Sequence, residues 1–114
     1  MSATPEPVLP AEDAKLVALA RATRVRVGAR EGAAVRDDMG RTYVAATVAL
    51  PSLRLSAVQA AVAAAVSSGS TALEAVAVVG PAEKLDDDDR GVLNDLSVTT
   101  VVLTGPDGVP RAGR

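Results

Sequence analysis

Residues 53–69, LRLSAVQAAVAAAVSSG, are dominated by Ala, Val and Leu. Between Leu55 and Val66 only Ser56 and Gln59 are polar. Leu55, Val58, Val62 and Val66 recur at three- and four-residue spacing, which predicts a helix with one bulky stripe. A helix that is apolar all round is a buried one, so other elements should cover it on two or more sides. The intervening Ala residues permit close approach. The stretch is shorter than the roughly 20 apolar residues of a bilayer span. It therefore reads as a core helix, not a membrane segment.

Around this helix the chain of 114 residues fits one domain with a thin core of Val, Ala and Leu. Residues 1–10, with Pro5, Pro7 and Pro10, read as a flexible tail. Residues 11–24 predict an amphipathic helix, with Glu12 and Asp13 at its start and Arg21 and Arg24 at its end. Residues 25–32 are ambiguous, because Val25, Val27 and Ala29 alternate with Arg while Gly28 and Gly32 interrupt. Residues 33–36 and 41–49 predict a hairpin turning at Asp37-Asp38-Met39-Gly40. Pro51-Ser52 ends it, and Gly69 suits the cap of the central helix. The unbroken run Ala75-Val76-Ala77-Val78-Val79, within residues 73–79, reads as a strand buried on both faces. A short helix over 85–96, acidic in its first turn, and a β-branched strand over 98–104 follow. The last strands are joined through a helix, so they should be parallel. The predicted class is α/β, three layers around a mixed sheet of about four strands. The domain spans 11–105, and 106–114 is a tail frayed from Val109.

Composition narrows the chemistry. The sequence has no Cys and no His. That excludes a disulfide, a thiolate zinc site, a Cys nucleophile, a Ser-His-Asp triad and a histidine pH switch. Tyr43 is the only aromatic residue, which argues against base stacking and makes oligomerisation a source of extra buried area. The net charge of -2 gives no nucleic-acid footprint. The Ala, Val, Arg, Gly and Asp bias is that of a GC-rich bacterial genome. The N-terminus lacks a charged leader followed by an apolar run, so a cytoplasmic location without a membrane is expected.

Several residues invite a sharper reading. Asp86 and Asp89 lie three apart on a helix face, as carboxylates for a hard cation would. The simpler reading is that the four consecutive Asp cap the helix and favour its dipole. Ser56 lacks any His to activate it and reads as a small helix-start residue. Gln59 either faces a partner subunit or reaches solvent. Arg21, Arg24, Arg26 and Arg30 could favour RNA, phosphate or an acidic partner, but a solvated edge explains them as well.

The central region resembles the small cytidine deaminases. That family reads Cys-Ala-Glu-Arg, then Ala, Ile, Ala, Ser and Gly, along a buried helix. Ser56-Ala57-Val58-Gln59 fall on the four leading positions, and Ala61, Val62, Ala65, Ser67 and Gly69 on the rest without a gap. The family hairpin Gly-Ala-Ala-x-x-x-x-Asp-Gly resembles Gly32-Ala33-Ala34 through Gly40, with Met39 displacing the Asp. Its Asn-x-Glu falls on Thr47-Val48-Ala49. Its Pro-Cys-Gly-x-Cys-Arg-Gln-Val-Leu resembles the stretch from Leu85 to Leu93, where Arg90, Val92 and Leu93 are kept and both Cys are Asp. The likeness covers roughly residues 12–104, with a shorter loop before Leu53.

This resemblance implies a three-layer α/β/α fold and a site whose chemistry has been replaced. Zinc deaminases hold their metal with His or Cys plus two Cys and move protons with a Glu. The matching zinc-ligand positions here are Ser56, Asp86 and Asp89, and the proton-shuttle position is Val58. The nucleoside-binding positions are Thr47 and Ala49. Losing the Glu alone costs on the order of 100-fold to 10,000-fold. The expectation is a catalytically inactive member without cofactor. It would act as a homo-oligomer, dimer or tetramer, or through a protein partner. The alternatives are a zinc-independent nucleoside or nucleotide binder or enzyme reusing the pocket, and an RNA- or ribosome-associated accessory protein.

Overall fold

The computed structural model describes residues 9–111; the tail assigned to residues 1–10 lies almost wholly outside them. The first helix, α1 (Ala11–Val27), runs one turn past the amphipathic segment. It ends where Gly28 takes φ 72° and donates its amide to Arg24 O at 2.9 Å. Gly28 is the first residue past Arg24 that adopts this left-handed geometry without strain. The Val/Arg alternation of residues 24–27 is therefore helical, and it leaves Val25 and Val27 exposed.

After α1 the chain enters β1 (Gly32–Asp37) and turns at Gly40 into β2 (Thr42–Ala46). The second strand is shorter than the predicted 41–49. Thr47 N donates to Glu31 O, and Thr47 Oγ1 accepts from Glu31 N at 3.0 Å. Beyond Thr47 the backbone leaves the sheet. It forms a two-strand ribbon of β3 (Val48–Ala49) and β4 (Arg54–Leu55). The central helix, α2 (Ala57–Ser67), consequently starts four residues later than the apolar stretch does.

The chain continues through β5 (Leu73–Val79), α3 (Asp87–Asp95) and β6 (Thr100–Thr104). The sheet order is β2-β1-β5-β6, antiparallel except for the β5–β6 pair, which is parallel across the α3 crossover. Residues 105–111 turn back on β6 instead of fraying. Thr104 pairs with Pro110, and Arg111 N donates to Leu103 O at 2.8 Å.

Period-two alternation divides the sheet between two cores. On one face Ala33, Val35, Val76 and Val78 meet Val58, Ala61, Val62 and Ala65 of α2 and Leu93 of α3. On the other Ala34, Ala75, Ala77 and Val79 meet Leu16, Val17 and Ala20 of α1. This is a three-layer α/β/α arrangement. The small residues under α1 bring helix and sheet close together. Arg36 enters this second interface buried, and its charge is satisfied by Asp13 at 3.0 Å and Glu74 at 2.9 Å.

The central helix is less enclosed than its composition predicts. Ala57, Val58, Ala61, Val62 and Ala65 are buried, but Val66 is 47% exposed and Ala63 faces solvent. The predicted stripe fails at both ends, because Leu55 belongs to β4 and Val66 points outward. Ala is a strong helix former that costs little at a wet position, so an Ala-rich helix reads as buried whether or not it is covered.

Candidate functional site

Ser56 is the N-cap of α2 and completes a capping box. Its Oγ accepts from Gln59 N at 3.0 Å, and Gln59 Oε1 accepts from Ser56 N at 2.9 Å. Gln59 thus points back along its own helix, which neither reading of it anticipated. The start of α3 faces this cap. Ser56 Oγ donates to Asp89 Oδ1 at 2.6 Å. Asp86 is the N-cap residue of α3 but makes no side-chain capping bond.

Asp89 is only 4% exposed. An acidic first turn reads as solvated, and Asp87 and Asp88 are exposed. The reading of all four Asp as helix caps is therefore wrong for Asp89, which turns inward toward a partner 33 residues away. Burial raises its pKa, against the Ser56 hydrogen bond, and the charges of Asp86 and Asp88 push the same way.

A second carboxylate joins from β1's side. Glu31, just before Gly32, is half-buried, and its pKa is also raised. Burial is the largest cause, and the Asp89 charge comes next. The Ala57 amide at the α2 N-terminus and the Arg30 charge act in the opposite direction, and Asp86 adds to the rise. Sequence reasoning passed over Glu31, which lay in the ambiguous stretch 25–32. Its one available signal was position, directly ahead of the Gly32-Ala33-Ala34 motif.

These groups border a concave region of about 320 Å³ between the β3–β4 ribbon and the starts of α2 and α3. Thr47, Ala49, Ser56, Asp86 and Asp89 all line it, so five of the six positions singled out in the sequence are brought together. The sixth, Val58, is fully buried in the core below. The opening is rich in carboxylates, with Arg54 at its rim. Of the arginine group, Arg24 Nε donates to Arg30 O at 2.9 Å, while Arg21, Arg26 and Arg30 are exposed.

The sequence profile described as cytidine deaminase-like matches residues 9–108. The chain belongs to the cytidine deaminase-like family. Solved structures agree. A cytidine deaminase from Burkholderia pseudomallei is 27% identical with a TM-score of 0.70, over 80% of this chain and 83% of that one. The cytidine deaminase from Mycobacterium tuberculosis is 27% identical with a TM-score of 0.66, over 85% and 86%. That from Mycobacterium leprae, at 23% identity, TM-score 0.65 and coverage of 82% and 87%, shares the fold. A comparison with curated protein sequences returns no match.

The zinc that the resemblance implies does not fit the groups of this cytidine deaminase-like chain. The Ser56 hydroxyl gives its proton to Asp89 and accepts from Gln59 N. The two remaining donors are carboxylates, where the family pattern supplies thiolates. Among the described residues no three His, Cys, Asp or Glu side chains group as a metal site. Nor does any described helix have the length and hydropathy to cross a membrane.

Proposed function

We propose that this chain is a non-deaminating member of the family that acts by association, with further copies of itself or with a protein partner in the cytoplasm. Ser56, Asp86 and Asp89 are taken as former zinc-ligand positions, and Thr47 and Ala49 as former nucleoside-binding positions. One observation carries this reading: Ser56 and Asp89 are committed to each other, while Val58 fills the core beneath them. Val58, at the position of the family's proton shuttle, carries no titratable group. Exposed Leu50, Leu53 and Val66 are among the apolar side chains available for contact. Two measurements test the proposal. Purified protein should form no uridine from cytidine above background, and sedimentation should show concentration-dependent assembly or co-purification of a defined partner. Cytidine turnover abolished by a chelator overturns the first half. A monomer at high concentration overturns homo-oligomerisation.

A second reading is favoured by the persistence of the hollow. Val58 and its neighbours do not fill it, and about 320 Å³ remains beside Thr47, Ala49 and Ser56. A zinc-independent binder of a small polar molecule would use that space. Its acidic lining favours a cationic or amine-bearing ligand. A thermal-shift screen of nucleosides and amines, with no stabilisation at millimolar concentration, would remove this reading.

A further inference from the structure

Asp89 is an expensive residue where it stands. Its carboxylate is almost fully buried on a helix whose first turn also carries Asp87 and Asp88, with Asp86 at the cap and Glu31 across the cleft. Burying a charge among like charges is unfavourable unless a specific donor repays it. The donor is present: Ser56 Oγ, at 2.6 Å. Among the described residues this is the one side-chain hydrogen bond between the start of α2 and α3. Leu85 packs on the core ahead of α3, and past its first turn the helix does so through buried Leu93 and partly buried Val92 and Leu96; its end is fixed by Leu73 N donating to Leu96 O at 3.1 Å. Its first turn has no comparable apolar anchor, because residues 87, 88, 90 and 91 are exposed.

In the pattern of the family, a zinc held by one ligand from the central helix and two from the next would join the same two helix starts. That donor set fails here, yet the junction is closed. We infer that the Ser56–Asp89 hydrogen bond is a metal-free strap that takes over the structural part of the zinc site, pinning the α3 N-terminus to the α2 cap. The strap rests on the geometry and the family assignment, and is independent of whether the protein associates or binds a ligand. It makes Asp89 a positioning residue: its acceptor oxygen matters and its charge does not.

Hydrogen exchange of α3 amides tests this directly in the full chain, with and without chelator or added zinc. Asp89→Ala removes the acceptor and should raise exchange across Asp87–Asp95 about tenfold, the upper scale of an ordinary hydrogen bond. Asp89→Asn relieves the same repulsion but keeps an acceptor, so α3 should stay within threefold of the unmodified chain. Ser56→Ala should loosen α3 as much as Asp89→Ala does. It should add no more than threefold in the Asp89→Ala background, although it also weakens the α2 cap. Neither chelator nor zinc should change α3. The strap is overturned if Asp89→Ala leaves α3 within twofold, if Asp89→Asn loosens it as much as Asp89→Ala, or if chelator alone speeds exchange. Should Ser56→Ala fail to fold, the contrast between the two Asp89 variants decides.

Discussion

Replacing Gly32 by Ala tests how closely α1 lies on the sheet. A Cβ at this position would run into the Ala20 carbonyl oxygen and come within 2.9 Å of both Arg24 N and Arg24 Cβ. Gly32 cannot step aside, because it is paired with Ala46 on one side and Val79 on the other. Overpacking costs typically about 1–3 kcal/mol, and the upper end applies where the obstacle is backbone. For 114 residues the unfolding entropy near the midpoint is about 0.24 kcal/mol/K. A cost of about 3 kcal/mol therefore lowers Tm by about 12 °C. That is within the about 6–17 kcal/mol expected for a chain of this length, so the variant should still fold. Gly91 provides the internal control. It is helical and exposed, and an added Cβ would meet nothing within 4 Å. Gly91→Ala should therefore stabilise by about 0.5–1 kcal/mol and raise Tm by about 2–4 °C. Circular dichroism melts of the two variants read both changes. A Gly32→Ala midpoint within 3 °C of the parent, or a shift in the same direction as Gly91→Ala, refutes the close approach of α1 to β1.

Two pH dependences of opposite sign follow from the titrating groups. Asp37 is fully buried at the hairpin turn. Burial acts to raise its pKa, but the Ser70 hydroxyl, the Arg41 amide and guanidinium, and the Met39 amide outweigh it and bring the value to about 2. Its stabilisation is present above the ordinary value of 3.8 and is lost as pH falls through about 2. Asp37→Asn should lower Tm at neutral pH and converge on the parent near pH 2; parallel curves down to that pH would contradict this. Glu31 and Asp89 behave the other way. Their folded pKa values are raised above 4.5 and 3.8, so the fold binds their protons more tightly than the unfolded chain does. Stability from this pair is greatest in acid and declines as pH rises through the folded values. Glu31→Gln with Asp89→Asn should flatten that decline and raise Tm at neutral pH, and an unchanged profile would refute the crowding of these carboxylates. Restoring the family's carboxylate by Val58→Glu should destabilise the fold without yielding cytidine turnover, because the residue lies in the core and no metal set accompanies it. Turnover in that variant would show the site to be one substitution from activity.

Much of this architecture was legible from local pattern. The run from Ala75 to Val79 is the doubly covered strand, and the β5–α3–β6 order brings two parallel strands together. Ser56 reads as a helix-start residue and is one, because a cap depends only on neighbours within one turn. The absence of Cys and His excludes whole classes of chemistry by composition alone. The extent of α2 was not legible, because Ala records helix preference and not burial: Val66 is exposed, and the first four residues of the apolar stretch lie outside the helix.

What the sequence determined by itself was the elements of the three layers, their order and the chemistry that is impossible, but not the β3–β4 ribbon. Those depend on period, punctuation and residue type, which neighbours a few positions apart carry. Tertiary structure alone decided which polar groups meet. Asp89 turns from an acidic helix face to Ser56, Arg36 enters the core between Asp13 and Glu74, and Glu31 comes to the start of α2. Each of these contacts joins residues more than 20 positions apart. Their cost or benefit is set by burial, which does not exist until the three layers close.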